Sequence, residues 1–214
     1  VRPPAAGCST EIIRKETIGD PPHCAPYPSV VDGVVLAHVG DKITTDHIMP
    51  AGTHLKLRSN IPNYAKVVVE CFNEDDKPTF AERAAAIRDM GRHGVIVAGE
   101  SYGQGSSREH AAICPMHLGV RVVVARSIER IHAANLVNFG ILPLLFTNDS
   151  DYAKIGAEDE IRIEGVREQL RPGTAVAATI RSVDGQYWQC ELRHDLSEAD
   201  VDVILSGGRL SMFG

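Results

Sequence analysis

The residues that offer chemistry are concentrated in one short stretch, GESYGQGSSREHAAI, residues 99–113. It follows the apolar run GVIVA and reads as a strand, a glycine turn and the start of a helix. Gly103 and Gly105 permit backbone geometry that other residues resist, and they let a ligand approach the main chain. Free N–H groups at the start of a helix favour an anion there. The same residues also fit a plain structural device, because Ser106 and Glu109 have the S-x-x-E spacing of a capping box. Arg108 separates the two readings. A cation in the first helical turn is misplaced by some tenths of a kcal/mol unless it has an anion to hold, and arginine's planar fork suits a carboxylate or phosphate. No G-K-[ST] ends the turn and the G-x-G-x-x-G spacing is absent, which disfavours a nucleotide phosphate.

Two further constellations stand beside it. GDKITTDHIMPAGTHLKLRSN, residues 40–60, has the irregular composition of a loop between strands, where sites are commonly built. Its adjacent Asp46 and His47 have the chemistry to orient a substrate or move a proton; an Asx turn at Asp46 with an exposed His47 is the plainer reading. Arg58, taken alone, reads as a solvated surface charge. In SIERIHAANLVNFG, His132 and Asn135 lie three apart on one helical face, lining a cleft or satisfied within a partly buried helix.

The elements that must position these groups alternate along the chain. VVLAHV (34–39), AKVVVECF (65–72), GVIVAG (94–99), VRVVVAR (120–126) and ILPLLF (141–146) read as strands. A helix is expected from Thr79 to Met90, with Thr79 and Glu82 as its cap and Phe80, Ala84 and Ile87 on one face. Another follows the glycine turn, and a third runs from about Ser127 to near Gly140. Strands joined by such helices make βαβ units, so the section is α/β, with a central, mostly parallel sheet flanked by helices. Past residue 158, EIRIEG, AVAATIRS and YWQCELR suggest a smaller antiparallel section. A last helix begins at Ser197, with Asp200 completing its cap.

Size and composition bound the rest. The 214 residues suffice for one large domain, and half of the twelve prolines fall in the first 30 residues, so residues 1–32 read as an arm or linker and 33–214 as the domain. The net charge of −6 speaks against nucleic acid or a membrane surface as the main partner. No apolar run approaches the ~20 residues of a membrane-spanning helix. The five scattered cysteines, Cys8, Cys24, Cys71, Cys114 and Cys190, show no metal-type spacing and point to a reducing, cytoplasmic compartment. Val1 in place of methionine fits a processed product or a piece of a longer protein.

TTDHIMPAG, LKLRSN, SYGQGSSREHAA and HLGVRVVVARSIERIHAANLVNFGILPL, in this order, closely resemble the C-terminal swivelling domain of the aconitase family, densely from about residue 33 to 147 and more loosely to the end. YGQGSSREHA is also shared with the small subunits of isopropylmalate and homoaconitate isomerases. The resemblance implies a swivelling β/β/α-type domain of a hydro-lyase that moves a hydroxyl between neighbouring carbons of a hydroxy acid. It implies Ser106 as the base, Ser107 and Arg108 on a substrate carboxylate, Arg58 on another, and Asp46 with His47 in the active-site region. It also implies a [4Fe–4S] cluster whose ligands lie outside this chain, in cluster-bearing domains or a large subunit. Two arginines that hold two carboxylates fit a tricarboxylate, so an aconitate hydratase is the leading expectation. A homoaconitate or isopropylmalate isomerase is the alternative, and a non-catalytic RNA-binding module is one of another class, against which the acidic balance speaks.

Overall fold

The computed structural model describes residues 17–20 and 22–212; Pro3, Pro4, Cys8 and Pro21 of the arm lie outside the described residues. Seven strands form the framework: β1 (Val31–Val39), β2 (His93–Ala98), β3 (Val120–Ala125), β4 (Leu142–Phe146), β5 (Glu160–Ile163), β6 (Val176–Arg181) and β7 (Tyr187–Arg193). They close into a barrel in the order β1-β2-β3-β4-β7-β6-β5. From β1 to β4 neighbours run parallel; every other pairing, including the closing pair of β1 and β5, is antiparallel. This corrects the expected open parallel sheet with a separate antiparallel section. The two are halves of one closed mixed barrel, in which pairing β1 to β5 and β4 to β7 removes the exposed edges an open sheet would leave.

The strand sequences explain the layering. Register sets Val95, Val97, Val122 and Val124 side by side, with Ile96, Ala98, Val123 and Ala125 on the opposite face. The first set joins Ile161, Ile180, Cys190 and Leu192 in one apolar cluster that fills the barrel. The second joins a cluster beneath the helices. With both faces buried, these strands read as continuous apolar runs. In β6, by contrast, buried and exposed residues alternate.

The helices follow their signals unevenly. α3 (Phe80–Asp89) begins at the expected capping box of Thr79 and Glu82, and α6 (Glu198–Leu205) at that of Ser197 and Asp200. Between β1 and α3 lie two single turns, α1 (Thr45–Ile48) and α2 (Ile61–Tyr64). The expected strand at 65–72 is instead a pair of 3₁₀ turns, Ala65–Val67 and Glu70–Phe72, hinged at Val69 with φ +47°. Val68 and Val69 are buried there without any strand to pair with; the Val69 N–H donates to the Ile48 carbonyl at 2.9 Å. α5 (Arg130–Asn138) is shorter at both ends than expected. α4 (His110–His117) starts three residues later than the S-x-x-E spacing implies.

The described end of the arm lies against the barrel. Tyr27 is buried and its hydroxyl donates to the Arg121 carbonyl at 2.8 Å, while the Arg121 guanidinium reaches back to the Ala25 carbonyl at 2.7 Å.

Candidate active site

β1, β2 and β3 are parallel, so the loops that follow them leave from the same end of the barrel, where ligands of parallel α/β sheets commonly bind. Main-chain bonds tie these loops to one another. The Ile43 carbonyl accepts from Gly103 N–H (2.8 Å) and Gln104 N–H (3.0 Å), and Thr45 N–H donates to Gln104 (2.9 Å). Tyr102 N–H donates to Ser127 at 3.0 Å, and Glu129 N–H to Tyr102 at 2.9 Å. Side chains add the Asp41 carboxylate, which accepts from Glu100 N–H at 2.8 Å, and the Ser101 hydroxyl on the Glu129 carboxylate. Gly103 is required where it stands: its φ is +84° and a Cβ would lie 2.2 Å from the His132 ring.

Within this frame Ser106 caps nothing. Glu109 occupies the N-cap position of α4 in helical backbone geometry, with no side-chain cap, so the expected capping box is not formed and the serines precede the helix rather than sit in its first turn. Among the described residues the Ser106 hydroxyl has no partner; the Ser106 carbonyl accepts from Thr45 Oγ1 at 2.9 Å. Ser106 and Ser107 are exposed, and Asn135 Nδ2 reaches the Ser107 hydroxyl at 3.5 Å, a long contact.

Arg108 has its anion. Its guanidinium binds Asp46 with both terminal nitrogens, Nη2 to Oδ2 at 3.0 Å and Nη1 to Oδ1, and Nη1 also reaches the Met49 carbonyl at 3.5 Å. The guanidinium holds the Asp46 carboxyl below its ordinary value, through its hydrogen bond first and its charge as well, against an opposing effect of burial. Asp46 thus makes an interloop ion pair, not the Asx turn. His47 closes a capping box on α1, its Nδ1 accepting from Thr44 N–H at 3.1 Å, which leaves Nε2 for other partners.

Arg58 is brought in by a residue the motif reading left without a role. His110 Nε2 donates to the Arg58 carbonyl at 2.9 Å, fixing the 53–60 segment against the start of α4. The Arg58 side chain itself is exposed and without a partner among the described residues. Thr45 and His110 therefore tie the loops to one another; each sits inside a quoted motif, TTDH and SSREH, which was the available signal. His132 and Asn135 are both buried. Both His132 ring nitrogens lack partners, and burial pushes its pKa down to about 4, so the ring is neutral at pH 7.

Metal binding fits poorly. Among the described residues no group of three or more His, Cys, Asp or Glu is arranged to hold an ion. Burial raises all four described thiols, Cys114 and Cys190 to about 12, so none is a thiolate ready to ligate.

A serine hydroxyl that caps nothing, an arginine paired with Asp46 and the Arg58 main chain held by His110 thus come from loops at one rim of the barrel. Comparison with known proteins identifies it further. The aconitase C-terminal domain model matches residues 41–149, about half of the chain, and the chain belongs to that family. It is 33% identical over 205 residues to a mitochondrial aconitate hydratase of Gracilaria gracilis, covering 87% of this chain and 26% of that protein. It is 35% identical over 197 residues to a probable mitochondrial aconitate hydratase of Dictyostelium discoideum, covering 85% and 25%. The chain thus spans about a quarter of the length of these relatives. Among solved structures it is similar to a 3-isopropylmalate dehydratase chain (leuD) of Methanocaldococcus jannaschii, with a TM-score of 0.59, 26% identity, and 85% of this chain and 92% of that one covered. The mitochondrial relatives overturn the cytoplasmic expectation: scattered free cysteines report a redox state, not an address.

Proposed function

We propose that this chain is the swivelling, base-bearing part of an aconitate hydratase, working in mitochondria and interconverting citrate and isocitrate through cis-aconitate. Ser106 removes the carbon-bound proton; Ser107 and Arg108 hold one substrate carboxylate and Arg58 another. The observation that carries the reading is the free Ser106 hydroxyl two residues from Arg108, on a loop braced by the main chain and released from capping duty. A serine hydroxyl is too weakly acidic to act as a base unaided, and a guanidinium beside it stabilises the alkoxide form. Asp46 orients Arg108, leaving its Nε edge for an incoming carboxylate, and His47 caps the turn that carries Asp46.

The [4Fe–4S] cluster of the family finds no fitting residues among the described ones, and in this reading its ligands come from cluster-bearing domains or a large subunit. The contribution of this chain is proton transfer and carboxylate binding, and alone it is inactive. The similarity to the leuD chain, 92% of which is covered, supports a second reading as the small subunit of an isopropylmalate or homoaconitate isomerase.

Both readings are tested in the full-length, cluster-reconstituted enzyme containing this chain, by following the absorbance of the conjugated double bond. Isocitrate, homoisocitrate and isopropylmalate are offered separately. Turnover of isocitrate alone upholds the aconitate hydratase reading, and preference for either of the others replaces it. Ser106→Ala is expected to lower kcat by about 10²–10⁴-fold. Undiminished turnover removes the base assignment.

A further inference from the structure

Beside the loop lies a cavity of about 190 Å³, lined by Ser107 and Arg108 on one side and by Arg130, His132 and Asn135 of α5 on the other. That volume equals about six waters, ample for a carboxymethyl arm. Arg130 occupies the first position of α5, where a cation is as poorly placed as one in any first helical turn. Its guanidinium has no partner among the described residues, whereas Asp46 already neutralises Arg108. Glu129, the carboxylate in the lining, is engaged by the Ser101 hydroxyl. Deeper in, the His132 ring lines the cavity with both nitrogens unpartnered although the side chain is almost wholly buried, and such orphaned groups call for an explanation.

We infer that Arg130 is a further substrate-binding residue, which takes a carboxylate of the substrate into this cavity together with the Ser107 hydroxyl and the Asn135 amide. The inference deepens the reading proposed above and rests on its substrate class, a polycarboxylate. It gives that substrate a third cation from this chain. An anion there gives Arg130 the counter-charge that Asp46 already gives Arg108.

The test uses the full-length enzyme with Arg130→Gln and Arg130→Lys, and Arg171→Gln as a charge-matched control on the far, antiparallel side. Two quantities are read: KM for the substrate, and the calorimetric dissociation constant of propane-1,2,3-tricarboxylate, which lacks the reacting hydroxyl and reports binding without turnover. With Arg130→Gln both are expected to rise together, on the order of 10- to 100-fold, as for loss of a charge-assisted hydrogen bond, with most of the kinetic loss in KM. Arg130→Lys recovers part of it by restoring the charge without the fork, and Arg171→Gln moves neither constant more than about twofold. Arg130 is exposed, so circular dichroism should be unchanged in both variants. Unaltered constants in Arg130→Gln overturn the inference, as does a wild-type enzyme that fails to bind the tricarboxylate. Loss of turnover in Ser106→Ala alongside unaltered constants in Arg130→Gln leaves the base reading standing and removes Arg130 alone.

Discussion

The parallel and antiparallel halves of the barrel share one apolar filling but differ in what leaves their ends. β1, β2 and β3 are buried on both faces and release long loops from one rim, and those loops carry Asp46, Arg58, Ser106, Ser107 and Arg108. β5, β6 and β7 alternate buried and exposed residues, and β6 and β7 are joined by a tight turn in which Ser182 N–H donates to the Gln186 carbonyl at 2.9 Å. Parallel connections must travel the length of the sheet and so leave chain to spare at the strand ends, whereas a hairpin leaves almost none. The candidate site lies where topology supplies the spare chain, and closure is left to the half that lacks it.

That division is open to test. The largest expected effect is on turnover: Ser106→Ala abolishes most of kcat but leaves the thermal midpoint within about a degree, because the hydroxyl makes no bond to lose. Ile180→Ala, fully buried inside the antiparallel half, is expected to do the reverse, with stability falling by about 2–5 kcal/mol while activity per folded molecule is kept. A large kinetic defect in Ile180→Ala would erase the distinction between the halves.

The next effect concerns pH. The folded-state pKa of His132 is depressed from 6.5 to about 4 by burial, so between those values the unfolded chain binds a proton that the native ring refuses. Stability therefore falls as pH drops through that window, by about 3 kcal/mol at most from this residue, and is flat above it. Burial lowers His93, His117 and His194 as well, so the slope is shared. Chemical denaturation of His132→Phe across the same window isolates the His132 share as a loss of slope; an unchanged slope would mean the ring is not buried neutral.

The smallest effect is expected at Asp46→Asn. The pair with Arg108 is largely exposed on the Asp46 side, so removing the charge is expected to cost less than about 1 kcal/mol of stability. The contribution of Asp46 is in place above its ordinary pKa of 3.8 and is lost as pH falls through the lowered folded value. In the enzyme the variant should raise KM several-fold by loosening Arg108. A wild-type KM would show that Asp46 is a bystander.

The sequence revealed whatever depends on near neighbours. The valine-rich runs at 94–99 and 120–126 and the caps at Thr79 and Ser197 are local patterns, and each stands where expected. AKVVVECF misled because β-branched residues suit any buried position: no strand lies beside Val68 and Val69, and Val69 turns left-handed under the packing of its neighbours. Barrel closure was invisible because it depends on β1 meeting β5 across more than a hundred residues. At the site, S-x-x-E satisfies the spacing of a cap, but the Ser106 carbonyl is held by Thr45, 61 positions earlier in the chain. The anion for Arg108 was deducible as a need, though not as Asp46.

The loops at the rim extend the order of the barrel beyond its last strand residues, with Thr44 bridged to Gln104 and Tyr102 to Ile128. Their shape is written in peptide groups, which every residue type except proline supplies in full. The Gln104 side chain can therefore be exchanged while the scaffold beneath it stays put, whereas Gly105, at φ +100°, and Arg108, tied to Asp46, belong to that scaffold. For an evolving lineage this separates two problems that many loops confound, keeping a site in place and changing what it accepts.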